Sequence, residues 1–269
     1  NKTKTIGYGA RLSKIIATIT WFTIKFVDMH IVVSKSMIKD AIEAGSNPQK
    51  IRVVYNGINL KKTQSGGENN VLKRYGVTKS DFVILYLGRL HPKKCLDDLV
   101  RALPKVVQNI PKAKLIIAGK GQEERKLKKI SSDLGVADKI IFAGFVPENE
   151  KWDLLRSCDV FVLPSIIEGH PISVIEAMAC EKPVITTNVV PFPEIIRNGE
   201  TGVLVPARSP DHLADAIIYL AQNDEKRREI GRKARGEVEN RFDIRKIADE
   251  YLEMYGELVE RKNADWRGC

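Results

Sequence analysis

The sequence is poor in the side chains that build metal sites and disulfide frameworks. Its 269 residues include four cysteines and four histidines, and no cysteine pair has the C-x-x-C spacing. Structural zinc sites and disulfide scaffolds of small secreted proteins both depend on closely spaced cysteines. We therefore expect no structural metal and no disulfide framework, and the reducing cytoplasm is the expected compartment.

Long apolar runs are also lacking. The most apolar early stretch, Ile15 to Val27, contains Lys25 and is shorter than the about 20 apolar residues that span a bilayer. It predicts a helix packed into a core, and a helix lying on a membrane surface is the alternative. The chain starts at Asn1 rather than Met and shows no signal peptide, so we expect a fragment or a processed chain.

The common phosphate-binding fingerprints are absent as well. Gly119-Lys120-Gly121 begins a G-x-G turn, but Glu124 occupies the place of the third glycine in G-x-G-x-x-G. There is no P-loop and no carboxylate cluster suited to a divalent metal. The sequence therefore does not predict a dinucleotide-binding oxidoreductase or a P-loop enzyme.

Positive charge is in excess. Lys and Arg number 44 against 34 Asp and Glu, which gives a formal net charge of +10. Such a surplus favours an anionic partner, whether a phosphorylated ligand, a nucleic acid or an acidic membrane surface. A solvated basic face is the competing explanation. No zinc-finger, RRM or helix-turn-helix pattern occurs, so we expect no specific nucleic-acid partner.

Short apolar runs rich in Val and Ile recur along the whole chain. Eight of them predict strands: Ile31–Ser34, Ile51–Tyr55, Phe82–Leu87, Lys114–Ala118, Lys139–Ala143, Asp159–Leu163, Pro183–Thr187 and Gly202–Val205. The runs are nearly continuous rather than alternating, which is typical of parallel strands covered on both faces.

Helical patterns separate these runs. Asp97 to Asn109 predicts one helix, Gln122 to Leu134 another that ends at Gly135, and Ser209-Pro210 an N-cap and first turn. The alternating order predicts an α/β fold, a Rossmann-like doubly wound parallel sheet. Ligands of such sheets lie beyond the carboxyl ends of the strands.

The first part of the chain does not belong cleanly to that sheet. Residues 1–60 predict a helix, two strands and a further helix, Met37–Ala44, which we interpret as the remnant of a second α/β domain with its linker. Asn56-Gly57 predicts a turn, and Lys61–Asn70 is polar and glycine-rich like a connector. The predicted Rossmann-like domain covers 61–243, and 244–269 predicts a helix over Ile244–Lys262 that crosses back toward the first domain.

The segment PSIIEGHPISVIEAMA follows the strand that ends at Leu163. A helix is predicted to begin near Ile172 or Ser173, and its free N–H groups would favour an anion. Glu176 lies in this apolar helix, so its carboxylate needs a partner. That partner is either a ligand hydroxyl such as a ribose diol or a structural Lys or Arg, and exposure to solvent is the third alternative.

Charged residues also mark the loops at the same predicted edge. Glu168 lies in the loop before the helix, and Arg89 and Lys94 follow the strand Phe82–Leu87. Two cations with free N–H groups can bind a diphosphate. Taken singly, each of the three is equally well explained as a solvated loop residue, and His170 is as well explained by a backbone contact as by imidazole chemistry.

Together these segments resemble the retaining glycosyltransferases of the group-1 (family 4) type, which have the GT-B fold. The matching segments are EGHPISVIEAMA with Glu168 and Glu176 as its E-x7-E pair, LGRL…KK at Leu87–Lys94, IIAGKGQEERKL at Ile116–Leu127, FAGFVP at Phe142–Pro147, CDVFVLPS at Cys158–Ser165, KPVITT at Lys182–Thr187, PEIIRNGETGVLVP at Pro193–Pro206 and VVYNGI at Val53–Ile58. Each piece is modest, but the ordered set over residues 30 to 260 is specific.

The resemblance implies a hexosyltransferase that takes a nucleotide-diphosphate sugar as donor substrate, with no cofactor and no metal, and a lipid or glycan as acceptor. Arg89 and Lys94 would hold the diphosphate and neutralise the leaving group, Glu168 would contact the sugar, and Glu176 the ribose. The resemblance places further donor contacts at Gly88, Gly119, Phe145, Val146, Gly169, His170, Pro171, Ile172 and Ser173, with Phe145 and Val146 near the base. If the acceptor is a lipid, the protein would make peripheral contact with the cytoplasmic face of a membrane.

The sequence departs from the family pattern at three places. Cys95 and Glu181 stand where glycine is usual, and Val190-Pro191 replaces a common Gly-Gly. Most of the N-terminal, acceptor-binding half is expected to be missing, so this chain is expected to bind donor without necessarily transferring it. A non-catalytic nucleotide-sugar-binding module is therefore the main alternative, and a nucleotide-sugar epimerase, which shares this donor half, is a minor one.

Overall fold

The computed structural model describes Ile19, residues 22–63 and residues 71–267. Its strands are β1 (His30–Val32), β2 (Ile51–Val53), β3 (Phe82–Leu87), β4 (Ala113–Ala118), β5 (Ile140–Gly144), β6 (Val160–Leu163), β7 (Val184–Thr187) and β8 (Val203–Val205). All eight predicted strands are confirmed to within a few residues, and the apolar runs of β3, β4, β6 and β7 are buried nearly throughout, as in a parallel sheet covered on both faces.

Eleven helices accompany these strands in the described residues. They are α1 (residues 22–26), α2 (Met37–Glu43), α3 (Val71–Arg74), α4 (Leu96–Asn109), α5 (Glu124–Asp133), α6 (Glu148–Ser157), α7 (Ile172–Ala179), α8 (Phe192–Ile195), α9 (Pro210–Gln222), α10 (Asp224–Arg241) and α11 (Ile244–Arg267). The helix that the sequence predicts after Gly169 begins at Ile172, and α5 ends before Gly135, whose φ of +67° is the left-handed conformation that glycine favours.

Chain contacts divide the protein into two units. One unit contains the described residues up to Tyr55 and those from Ile247, and the other is Asn56–Lys246. In the first unit β1 and β2 pair in parallel. Two small apolar clusters support this unit, one around Val32 and the other around Val54.

The unit Asn56–Lys246 is built on one six-stranded parallel sheet with the order β5-β4-β3-β6-β7-β8. The central strands β3, β4 and β6 are almost wholly buried, since helices cover both faces of the sheet. The chain moves outward from β3 to β4 and β5, then returns to the other side of β3 with β6. This confirms the predicted doubly wound, Rossmann-like α/β fold.

Several local expectations were wrong or only partly met. Residues 54–57 form no turn at Asn56-Gly57, and Ser209 precedes α9 without capping it, because its hydroxyl contacts the His212 ring nitrogen at 2.6 Å instead. The early part of Ile15–Val27 lies outside the described residues, but Phe22 and Phe26 are 57% and 70% exposed rather than packed in a core. No helix among the described residues is long and apolar enough to cross a membrane.

Candidate functional site

The strand order creates a switch point between β3 and β6. From β3 the chain winds toward β4 on one side, and β6 starts the winding toward β7 on the other. Loops that leave two such neighbouring strands diverge and open a crevice at the carboxyl edge of the sheet. The loop after β3 carries Arg89 and Lys94, and the loop after β6 carries Glu168.

Lys94 and Glu168 meet across this crevice. The Lys94 Nζ lies 2.5 Å from Glu168 Oε1, and the two side chains are 23% and 11% exposed. The backbone N–H of Ile166 also donates to the Lys93 carbonyl at 3.0 Å. Two predicted site residues from distant parts of the sequence are therefore adjacent, and neither is a freely solvated loop charge.

Arg89 is exposed at the same edge. Its backbone carbonyl accepts a hydrogen bond from the Tyr86 hydroxyl at 2.8 Å. Tyr86 is fully buried, and burial raises the pKa of its phenol. Within the described ranges no carboxylate forms an ion pair with the Arg89 guanidinium, which leaves it available to an anion while the backbone beneath it is fixed.

Glycines bring the loops after β3 and β4 into backbone contact. Gly88 N–H donates to Ala118 O at 2.9 Å, and Leu90 N–H donates to Lys120 O at 3.0 Å. A Cβ on Gly119 would lie 1.8 Å from the Gly88 carbonyl oxygen. The G-x-G turn therefore has a steric role: it allows the two loops to approach and so supports the backbone that carries Arg89.

Glu176 lies in α7 and pairs with a lysine that the sequence analysis missed. The Lys151 Nζ is 2.5 Å from Glu176 Oε1, and their side chains are 18% and 9% exposed. Burial raises the pKa of the Glu176 carboxyl, and the Lys151 ammonium opposes that rise. Of the three alternatives for Glu176, solvent exposure is wrong, and a structural lysine is present.

Five further predicted donor contacts surround the start of α7. Gly169 is exposed, Pro171 occupies the N-cap position, and Ile172 and Ser173 form the first turn. His170 is buried with its ring edge-on to Phe242 at 5.6 Å, and burial lowers its pKa to about 4. An imidazole of this kind is neutral near pH 7 and is not a cation for phosphate.

Phe145 and Val146 follow β5 at the same edge of the sheet as the other loops. Phe145 is 73% exposed, which places a largely exposed aromatic ring at the end of the strand. Val146 is half-buried. Gly144, just before them, has a φ of +66°, so the chain turns sharply as it leaves the sheet.

The departures from the family pattern have clear backbone consequences. Cys95 and Glu181 have φ values of 51° and 58°, the left-handed region in which glycine is the favoured residue. At both places the backbone has the conformation that glycine favours, although the residue carries a side chain. Val190-Pro191 is a cis peptide bond.

Two further cavities lie away from the predicted site residues. One cavity has a volume of about 570 Å³, and its lining residues fall in the range from Cys180 to Arg232. Another has a volume of about 380 Å³, with lining residues from the two ends of the range Leu60 to Lys246. Neither cavity is lined by a predicted site residue. In the part of the chain that the structure describes, no group of three or more His, Cys, Asp or Glu side chains could hold a metal ion.

A six-stranded doubly wound sheet with cations and a carboxylate at its switch point fits the GT-B fold of glycosyltransferases, which the structural neighbours share. Residues 68–237 match the family model described as glycosyl transferases group 1, and residues 4–62 match the model for glycosyltransferase family 4. The chain therefore belongs to the group 1 glycosyl transferases.

Curated relatives agree with this membership. An uncharacterized glycosyltransferase of Methanocaldococcus jannaschii is 34% identical over 86% of this chain and 60% of its own length. The N-acetyl-alpha-D-glucosaminyl L-malate synthase of Bacillus anthracis is 29% identical over 88% of this chain and 62% of its own. The chain thus spans about 60% of the length of these curated relatives.

Among solved structures, the Anabaena protein HepE in complex with UDP and glucose superposes with a TM-score of 0.83 at 23% identity, covering 93% of this chain and 68% of that one. A C-terminal domain of a group 1 family protein from Francisella tularensis has a TM-score of 0.63 at 23% identity, covering 70% of this chain and all of that one. Both likenesses concern the fold.

Proposed function

We propose that the protein is a retaining glycosyltransferase that transfers a hexose from a nucleotide-diphosphate sugar to a lipid or glycan acceptor. The observation that carries the proposal is the ion pair of Lys94 with Glu168 at the switch point of the sheet, beside the exposed Arg89. The two cations can bind the phosphates of such a donor, and the carboxylate can accept hydrogen bonds from the hydroxyls of its sugar, within one crevice.

Each residue in this proposal has a distinct role. Arg89 and Lys94 bind the diphosphate, and Glu168 accepts hydrogen bonds from the hydroxyls of the transferred sugar. The first turn of α7, after His170, offers free backbone N–H groups to the phosphates. Glu176 accepts hydrogen bonds from the ribose hydroxyls.

The base-binding part of the proposal rests on the loop after β5. The exposed ring of Phe145 and the backbone at Val146 supply an apolar surface and hydrogen-bonding groups for the nucleobase. Gly88 and Gly119 lack side chains where the two loops meet. Their place in the proposal is to keep this edge of the sheet open to the nucleotide.

In the proposed reaction, the bond between the anomeric carbon and the phosphate oxygen breaks while the acceptor oxygen attacks the same face. The leaving phosphate takes the acceptor proton, and attack on the same face gives a glycosidic bond that keeps the anomeric configuration. Negative charge grows on the leaving diphosphate during this step, and Arg89 and Lys94 neutralise it. The proposed reaction uses no metal ion.

Before a donor binds, Glu168 compensates the charge of Lys94. The entering diphosphate would compete with Glu168 for the same ammonium, which would release the carboxylate toward the sugar. This exchange links phosphate binding to sugar binding through one lysine. The Lys94 and Glu168 side chains are 23% and 11% exposed, so little solvent would screen this competition.

The names of related proteins suggest which donors to try first. The Anabaena neighbour was solved with UDP and glucose, and a relative in Escherichia coli is a galactosyltransferase that uses UDP-Gal. The Mycobacterium leprae relative is a mannosyltransferase of phosphatidyl-myo-inositol. A UDP-hexose is our first candidate donor, and a lipid acceptor would involve peripheral contact with a membrane, which co-sedimentation with anionic vesicles tests.

The proposal is tested by calorimetric titration with UDP, GDP, ADP and their hexose conjugates. We expect one nucleotide to bind, and Arg89→Ala or Glu176→Ala to weaken binding by about 1–3 kcal/mol. Arg125→Ala, which removes an exposed arginine from α5, is the matched control and should bind like the unaltered chain. No binding by any nucleotide to the folded chain would refute the donor site.

Transfer is a separate measurement. The chain is incubated with the bound donor and candidate glycan or lipid acceptors, and the anomeric configuration of the product is read by NMR. A product with the donor's configuration supports retention, and an inverted product contradicts it. Nucleotide binding without transfer to any acceptor favours the non-catalytic binding module instead.

A further inference from the structure

Glu176 is the least exposed of the charged residues placed in the donor site. It is buried in α7, a helix whose neighbouring residues are apolar. Among the described residues its one ion-pair partner is Lys151, which contacts Oε1 and not Oε2. Lys151 belongs to α6, so the pair joins two helices that are separated in sequence by strand β6.

Lys151 is itself held in place from two directions. Its Nζ lies 4.6 Å from the centre of the Trp152 ring, and Trp152 is buried. Cation–π contact and the ion pair together restrict an otherwise flexible side chain. The ammonium is therefore fixed over one oxygen of the Glu176 carboxylate.

A second ion pair lies one helical turn earlier on α6. Glu148 is three residues before Lys151, and its carboxylate lies 2.7 Å from the Lys62 Nζ. The charges thus alternate in the order Lys62, Glu148, Lys151 and Glu176. Glu148 pushes the pKa of Glu176 up and Lys62 pushes it down, but both effects are smaller than those of burial and of Lys151.

The other elements packed against α7 add little charge near its carboxylate. Strands β6 and β7 contain only Val, Phe, Leu, Ile and Thr. Arg235 of α10 directs its guanidinium to the Ala179 carbonyl at the far end of α7. Lys151 is accordingly the group that offsets the burial of Glu176.

Burial and charge have opposite consequences for ligand binding at Glu176. A buried carboxyl tends to hold its proton, and a protonated carboxyl accepts hydrogen bonds from a diol less well than a carboxylate does. A fixed ammonium on Oε1 favours the ionised form and leaves Oε2 to the ligand. Without such a partner the same position would be a poor acceptor near neutral pH.

We infer that Lys151 is a positioning residue of the donor site, which holds the Glu176 carboxylate ionised and oriented so that it can accept the ribose hydroxyls of the nucleotide. The inference rests on the proposed function, because it assigns Glu176 to the ribose. Lys151 does not itself touch the ligand in this scheme; it acts through Glu176.

The test is the pH dependence of ligand binding to the full chain. UDP-glucose and GDP-mannose serve as probes, because their diphosphates stay fully ionised between about pH 6 and pH 8.5. Lys151→Met removes the charge and keeps most of the side-chain length. We expect the affinity of this variant to rise about tenfold across that range, and that of the unaltered chain to change less than about twofold.

Three variants serve as comparisons in the same titration. Lys151→Arg keeps the charge and should restore the flat profile. The double variant Glu176→Gln with Lys151→Met should bind weakly at every pH, because an amide does not titrate. Lys105→Met, which breaks a 2.6 Å ion pair with Asp215 elsewhere, should match the unaltered chain, and thermal unfolding confirms that each variant is folded.

The outcomes separate this inference from the proposed function. If the unaltered chain binds neither these probes nor any other nucleotide of the first titration, both are overturned. If it binds one and Lys151→Met shows the same affinity at every pH, or a loss that is equal at every pH, then only the role of Lys151 is overturned. A pH slope that persists in the double variant would assign the titration to another group and also overturn it.

Discussion

Glu181 shows most clearly how a single residue departs from what its backbone favours. It follows α7 with a φ of +58°. Its N–H donates to Met178 O at 3.0 Å, and the Lys182 N–H donates to Ala177 O at 3.1 Å. These two bonds form a Schellman motif, in which the left-handed residue is usually glycine.

We predict that Glu181→Gly stabilises the protein. Glycine removes the contact between Cβ and the following carbonyl, and its greater freedom in the unfolded chain offsets part of the gain, which leaves about 0.5–1 kcal/mol. Glu181→Ala removes the carboxylate but keeps the Cβ, so it should gain little. The free energy of unfolding in urea measures both, and an equal gain for Ala and Gly would attribute the effect to charge instead of backbone strain.

The charged residues of the site can be predicted from the sequence, but not all of their partners can. Arg89, Lys94, Glu168 and Glu176 can be selected because they sit in recognisable motifs at strand ends. The partner of Glu176 cannot, because Lys151 lies in a helix with several other charged residues and no local pattern distinguishes it. Side-chain pairing between distant segments depends on tertiary packing, which periodicity does not report.

Secondary structure, by contrast, follows closely from the sequence. Strands such as Phe82–Leu87 consist wholly of apolar residues that only a doubly covered sheet can bury, so their type and place are determined locally. Helix ends are less certain: α11 continues to Arg267, past the predicted Lys262. Propensity changes little along that polar stretch, and the end is set by packing or fraying.

At the scale of elements, α10 packs closely on the turn that follows α7. A Cβ on Gly231 would lie 2.1 Å from the Glu181 carbonyl oxygen, whereas a Cβ on Gly236 of the same helix would meet nothing within 4 Å. Gly231 is buried and Gly236 half-buried. One helix therefore contains one glycine needed for close approach and another that is not.

We predict opposite effects for the two alanine substitutions. Gly231→Ala should lower the free energy of unfolding by about 1–3 kcal/mol, because the helix must move away from the turn. Gly236→Ala should raise it by about 0.5–1 kcal/mol, since alanine is the better helix former. Chemical denaturation of both variants measures the difference, and a Gly231→Ala variant as stable as Gly236→Ala would contradict the close packing.

At the scale of the whole molecule, the residues proposed to bind donor are concentrated in one unit. Asn56–Lys246 contains the complete six-stranded sheet, every residue assigned to the donor site, and also Lys62, Glu148 and Lys151. The other unit has its own strand pair and its own apolar clusters. Donor binding therefore requires, in this proposal, only the larger unit.

We predict that a chain of Asn56–Lys246 folds by itself and binds the same nucleotide as the full chain. Helices of the same segment cover both faces of its sheet, and a domain of this size buries enough apolar surface to be stable alone. The affinity should agree within about threefold, a difference below 1 kcal/mol. Circular dichroism during thermal unfolding and calorimetric titration measure the two properties. A fragment that folds cooperatively yet binds no nucleotide, while the full chain binds one, would show that the donor site needs residues outside Asn56–Lys246; a fragment that does not fold would contradict the independence of the larger unit.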